Sequence, residues 1–368
     1  MVVNYEENNL VNLSNSILKY FDVKPFHNTI DSLDKLLEEK KYKNIVLFVC
    51  DGMGYYNLNE ILTKEDFLRN KKIMELSSVF PPTTAAATTT LLSGLTPSEH
   101  HWFGWDVYFK DTNETISVFL NKIKDTEQNS KINVMDRDYM KYKNIIDLIN
   151  ETTSNKAYFA YPFSKENKCL NIEEVINRIK LLTKEDSKKF IYAYIENPDK
   201  LMHKYGIDSK EVIEEVKSIN KKIENLSKKL KDTLILVTAD HGLINTETIL
   251  FKDSLPKMYE MLERTTSIEP RCVGIKLKEN VKKEDFIKLY EKELEKDFKL
   301  LTQEEVIKNK LFGEEDSSYL RDNIGDYLLI GKTNKLLIDN EIVPDFKANH
   351  AGVTKEELVV PLIIIDCK

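Results

Sequence analysis

The stretch from Thr233 to Gly242 reads TLILVTADHG, and it decides the fold. Its first half, Thr233 to Val237, is apolar and rich in β-branched residues without polar alternation, as expected of a strand covered on both faces. Its second half delivers Asp240, His241 and Gly242 to the strand's carboxyl end. Two further runs repeat the pattern: Asn44 to Cys50 (NIVLFVC) ends in Asp51-Gly52, and Phe190 to Ile195 (FIYAYI) ends in Glu196-Asn197-Pro198-Asp199. Open parallel sheets bind ligands at the carboxyl ends of their strands, so three acidic strand ends predict one shared rim. A fourth apolar run, Leu358 to Ile365, follows His350 and reads as a closing strand. From Ser209 to Asp232, Val212, Val216, Ile219, Ile223, Leu226 and Leu230 recur at alternating steps of four and three, the pattern of a helix covering one sheet face.

At 368 residues the chain is longer than one hydrophobic core comfortably supports, so a smaller appended unit is expected. The pattern changes between residues 256 and 331, with a strand-like Arg271 to Leu277, a helix-like Lys282 to Lys296, a short Lys299 to Leu301 and a second helix near Glu304 to Lys310. The predicted architecture is therefore α/β: a three-layer αβα sandwich with a mainly parallel central sheet (residues 1–255 and 332–368) and a small α+β insertion (256–331). With 54 basic against 61 acidic residues and a net charge of -7, bulk binding of nucleic acid is disfavoured. Cys50, Cys169, Cys272 and Cys367 are far apart and lack metal-finger spacing, which predicts unpaired thiols in a reducing compartment. The first 20 residues lack the basic end and apolar run of an export signal. Leu358 to Ile365 is far shorter than the roughly 20 residues of a membrane span. The expectation is a cytoplasmic protein with no membrane partner, and the sequence does not indicate its oligomeric state.

The chemistry-bearing residues cluster in few places. In Asp199-Lys-Leu-Met-His203 the carboxylate and imidazole are four apart, on one face of any helix that begins after Pro198. Asp240-His241 ends a strand, Asp51 ends another, and His350 lies in Ala-Asn-His-Ala-Gly before the last apolar run. Alone, each of these reads as a cap, a turn or a hydrogen-bonded core residue. Together, six N/O donors at successive strand ends suit two divalent ions, zinc ahead of manganese or iron. The segment Phe80 to Gly94, FPPTTAAATTTLLSG, places Thr83 or Thr84 at a helix start, where free backbone N–H groups favour a phosphoryl anion and the hydroxyl can attack.

Four blocks, VLFVCDGMG (46–54), FPPTTAAATTTLLSGLTPSEH (80–100), IENPDKLMHKYG (195–206) and VTADHG (237–242), with a fifth, NHAGVTKEELVVP (349–361), resemble in order the nucleotide pyrophosphatase/phosphodiesterase branch of the alkaline phosphatase superfamily. The resemblance implies that Asp199, His203 and His350 hold one metal, and that Asp51, Asp240 and His241 hold the other together with the nucleophile Thr84, Thr83 being the fallback. It implies hydrolysis of a small-molecule phosphate ester or nucleotide, at a phosphodiester or pyrophosphate bond, through a phospho-threonine intermediate. Phosphomonoester, phosphonate or sulfate ester hydrolysis, and a non-catalytic nucleotide- or partner-binding relative, are the alternative readings. The chain departs from the branch at Trp105, where an Asn that holds a phosphoryl oxygen is usual, at His100-His101, and at Ala351 after the late His. Trp105, within an aromatic group with Trp102, Phe103, Tyr108 and Phe109, and Tyr205, two residues after His203, are the candidate substrate contacts. Lys200 and Arg321 are candidate charge partners for phosphate.

Overall fold

Asn44–Cys50, Lys189–Ile195 and Thr233–Thr238 are buried at every position, which is why their sequences need no polar alternation. A computed structural model of the protein describes residues 3–163, 167–339 and 346–367. In it these strands lie side by side and parallel, Asn44–Cys50 between the other two. The full sheet has six strands, in the order Lys72–Ser77, Val359–Cys367, Thr233–Thr238, Asn44–Cys50, Lys189–Ile195, Lys156–Ala160. Val359–Cys367 runs antiparallel to both neighbours, so the sheet is mainly parallel. Helices cover both faces and give the three-layer αβα sandwich. One of them, Lys210–Ser227, starts on the Ser209 side chain as cap and buries Val212, Val216, Ile219, Ile223 and Leu226, the stripe that its period of three and four encodes.

A second sheet of seven strands is antiparallel throughout, ordered Phe298–Thr302, Tyr327–Gly331, Cys272–Ile275, Ser267–Glu269, Asp106–Phe109, Glu114–Ser117, Lys122–Ile123. The helix Lys283–Glu293 lies where the pattern places it. The sheet reaches beyond residues 256–331, because its last three strands come from 106–123. Ser267–Glu269 would otherwise be an open edge, and the bridge from Ile268 to Asp106 covers it. Strands of two to four residues carry too little periodicity to be read from sequence. All four cysteines are free and buried. Among the described residues no helix is long and apolar enough to cross a membrane.

Leu236 is fully buried in an interior strand. Leu236→Ala should cost about 2–5 kcal/mol of stability, read as a lowered urea midpoint with an unchanged slope.

Candidate active site

Asp51, Asp199, His203, Asp240, His241 and His350 come together at the carboxyl ends of Asn44–Cys50, Lys189–Ile195 and Thr233–Thr238. Ligand atoms of Asp51, Asp240 and His241 lie within 4.8 Å of one another, and so do those of Asp199, His241 and His350. His241 stands at the junction, its ring stacked on that of His350 with centroids 3.8 Å apart. His203 flanks the second group, with Nε2 3.3 Å from Asp199 Oδ1 and its ring 5.2 Å from that of His350. The carbonyl of Ala348, 2.8 Å from Nδ1, fixes the His203 ring and leaves Nε2 for a ligand.

Local sequence explains each placement. Gly52 turns the chain at a φ of +72°, and a Cβ there would lie 2.8 Å from the Asp199 Cβ. Only glycine lets the end of the first strand and the start of the helix Asp199–Tyr205 approach so closely. Backbone bonds then tie them, with Asp199 N–H donating to the Asp51 carbonyl at 3.0 Å. Asp240 Oδ1 accepts from the backbone N–H of Gly52 and of His241, at 3.1 and 3.0 Å. Ala351 holds a φ of +83°, so the residue after His350 carries a methyl group in backbone space that favours glycine.

Pro81 and Pro82 prevent helix upstream, Thr83 caps with extended backbone, and the alanine-rich helix Thr84–Ser93 runs to Gly94, whose φ of +75° ends it. Thr84 is the first helical residue, and its hydroxyl lies 3.1 Å from His241 Nε2 and 3.4 Å from Asp51 Oδ1. The Thr83 hydroxyl points elsewhere and donates to Glu269 Oε1.

Three buried polar atoms of this cluster, Asp199 Oδ1, Asp240 Oδ2 and His350 Nδ1, have no hydrogen-bond partner. Burial pushes the Asp51 carboxyl well up, and the neighbouring charges of Asp240 and Asp199 push it further. Burial lowers His350, with His241 and His203 adding to the effect. Unpaired carboxylate and imidazole atoms aimed at common points fit divalent cations, which would satisfy the orphaned atoms and offset the crowded negative charge.

Four residues important to the site were not singled out in the sequence. Tyr194 donates its hydroxyl to Asp51 Oδ2. Arg271 and Glu357 form a fully buried bidentate pair, at 2.7 and 2.8 Å. Glu357 also accepts from Gly352 N–H at 2.7 Å, and its carbonyl accepts from Gly242 N–H at 3.0 Å. The pair therefore braces the His350 loop and the Asp240-His241-Gly242 turn together. Glu269 accepts from Thr83 and, at 2.8 Å, from Trp105 N–H; burial raises its carboxyl to about 7. Glu269 and Cys272 pair across a hairpin, so one two-residue turn supplies Glu269 to one side of the rim and Arg271 to the other.

Among the candidate substrate contacts, Trp105 is 36% exposed with its ring edge-on to Phe119, and Tyr205 is 40% exposed at the end of the helix that carries Asp199 and His203. Trp102, Phe103 and Phe109 are buried core. Arg321 is held by Asp316 and Glu304, on helix-side contacts of the second sheet, and Lys200 is exposed.

The model of the family described as type I phosphodiesterase / nucleotide pyrophosphatase matches residues 45–351. Among curated protein sequences none matches the chain. Among solved structures, murine ectonucleotide pyrophosphatase / phosphodiesterase 5, in an inactive form in complex with AMP, matches with a TM-score of 0.66 at 15% identity, over 86% of this chain and 87% of that one. The human protein of the same name matches with a TM-score of 0.66 at 16% identity, over 88% of this chain and 87% of that one. Identities this low speak to the fold.

Breaking the Arg271–Glu357 pair from one side leaves a buried charge alone. Arg271→Met should cost about 3–5 kcal/mol by chemical denaturation, and adding Glu357→Leu should recover only part, because Gly352 N–H then loses its acceptor. Full recovery in the double variant would sink the bracing role.

Proposed function

The chain belongs to the type I phosphodiesterase / nucleotide pyrophosphatase family, and from that premise we propose that it is a two-metal hydrolase of phosphodiester or nucleotide pyrophosphate bonds with Thr84 as nucleophile. The observation that carries the reading is the Thr84 hydroxyl, set between His241 and Asp51 at the head of a ten-residue helix, inside a ring of six potential ligands. Asp51, Asp240 and His241 would hold one ion beside Thr84, and Asp199, His203 and His350 the other. Mixed imidazole and carboxylate donors favour zinc over manganese or iron. Two bound divalent ions supply the positive charge that acidifies the nucleophile and neutralises the phosphoryl oxygens.

The chain's own groups set the rest. The helix start at Thr84 offers free backbone N–H groups and the positive end of a dipole to the phosphoryl anion. Thr84 Oγ1 loses its proton to solvent and attacks phosphorus; the P–O bond to the leaving group breaks, the leaving oxygen takes up a proton from solvent, and phospho-threonine remains. Water then cleaves the Thr84–phosphorus linkage and frees the hydroxyl for another cycle. A nucleotide is the favoured substrate class, given the AMP held by the murine relative. Trp105 and Tyr205, both partly exposed, are the rings we assign to contact its base. The four free cysteines suit a reducing compartment and support a cytoplasmic location.

With bis-p-nitrophenyl phosphate as substrate, Thr84→Ala should lower turnover by at least about a thousandfold while elemental analysis still finds close to two metal ions per chain. Undiminished turnover would move the nucleophile to Thr83. His203→Ala should lose metal, and full occupancy in that variant would remove His203 from the ligand set. Chelation should abolish turnover, and zinc should restore it.

A further inference from the structure

The hairpin turn that carries Glu269 brings to the rim a carboxylate that the six-ligand cluster does not use. Glu269 is 6% exposed. Its Oε1 takes both hydrogen bonds, from the Thr83 hydroxyl and Trp105 N–H. Among the described residues no lysine, arginine or histidine forms an ion pair with Glu269. A buried carboxylate without a cation is unfavourable, yet the backbone is arranged to keep it. Ile268, immediately before it, holds a φ of +79°, a region that β-branched residues avoid. From the opposite side Gly104 permits the approach of the Trp105 backbone, since a Cβ there would lie 2.5 Å from the Ile268 carbonyl oxygen.

Thr83, the partner of Glu269, directly precedes Thr84. Glu269 also lies close enough to the rim for its charge and that of His203 to act on each other. We infer that Glu269 determines specificity by charge, admitting the singly charged phosphoryl group of a diester and disfavouring the doubly charged group of a monoester. This rests on the hydrolase reading above and names the substrate charge that the same site selects. At an effective dielectric of about 20 and a separation of about 6 Å, one added negative charge on the ligand is disfavoured by roughly a hundredfold. The ionisable groups whose charges reach Glu269 are Asp106 and His203, of opposite effect. Its own ionisation lies near neutrality, so the test belongs at about pH 8.5, where the carboxylate is charged.

The test uses two ligands without an ester bond, phenylphosphonate as dianion and methyl(phenyl)phosphinate as monoanion, titrated calorimetrically into zinc-loaded protein. The ratio of the two wild-type affinities is the reference against which the variant is read. Glu269→Gln keeps an oxygen acceptor for Thr83 and Trp105 while removing the charge. It should tighten both ligands, and phenylphosphonate at least about tenfold more than the phosphinate. Equal change for both ligands, or none, would assign Glu269 a purely structural part. If Glu269→Gln melts early, Glu269→Ala gives the same ratio. Failure of the wild type to hydrolyse bis-p-nitrophenyl phosphate despite the expected change of ratio in Glu269→Gln would remove the hydrolase reading and leave the charge selection standing. Failure to bind either ligand would remove both.

Discussion

Three carboxylates, Asp51, Asp199 and Asp240, crowd one end of a buried sheet, and their mutual repulsion is the constraint around which the molecule is organised. Like charges in a low-dielectric rim oppose folding unless something positive sits among them. Arg271 is committed to Glu357, and the neighbouring imidazoles belong to the same cluster. The polypeptide thus concentrates negative charge and orphaned donor atoms where a parallel sheet naturally opens, and leaves compensation to ions. Stability and chemistry are coupled at this point, because the groups that strain the apo rim are those that a metal relieves.

The second sheet is the frame for that rim. Its hairpin between Ser267–Glu269 and Cys272–Ile275 projects Glu269 toward Thr83 and Arg271 toward Glu357, so that the helix headed by Thr84 and the His350 loop are referenced to one turn. The buried ion pair works as a geometric clamp, since its energy as a pair is largely offset by desolvation. Because the sheet is assembled from residues 106–123 as well as 267–331, it is stitched into the main chain on both sides of the catalytic strands, and a shift of either stretch reaches the site.

The rim and the strands were legible because each ligand ends or follows an unbroken apolar run, as Asp51 follows NIVLFVC and Asp240 follows TLILVT, and burial on both faces imposes that composition. Glu269, Arg271 and Glu357 were not, because nothing local distinguishes them. Arg271 and Glu357 lie 86 positions apart and acquire meaning only when folding makes them neighbours. Tyr194 looks like any aromatic of a buried strand until its hydroxyl is seen on Asp51. The strands at 106–123 escaped notice for a different reason, being too short to show a period. The residues alone left Thr83 and Thr84 open and the family resemblance named Thr84; what the sequence could not show is that the two hydroxyls face different partners, His241 and Asp51 for Thr84 and Glu269 for Thr83.

Val359–Cys367 separates Lys72–Ser77 from Thr233–Thr238 and pairs with both, yet it is the last of the six to emerge from a ribosome. Until it arrives, Lys72–Ser77 has no other strand of its sheet to pair with, and Thr233–Thr238 presents a bare hydrogen-bonding edge. His350, a few residues earlier, is likewise delivered late. Nascent chains therefore pass through a stage with two sticky margins and an incomplete ligand ring, when chaperone capture or intermolecular β-pairing competes with maturation. The rim can first close only after His350 and this strand have both emerged.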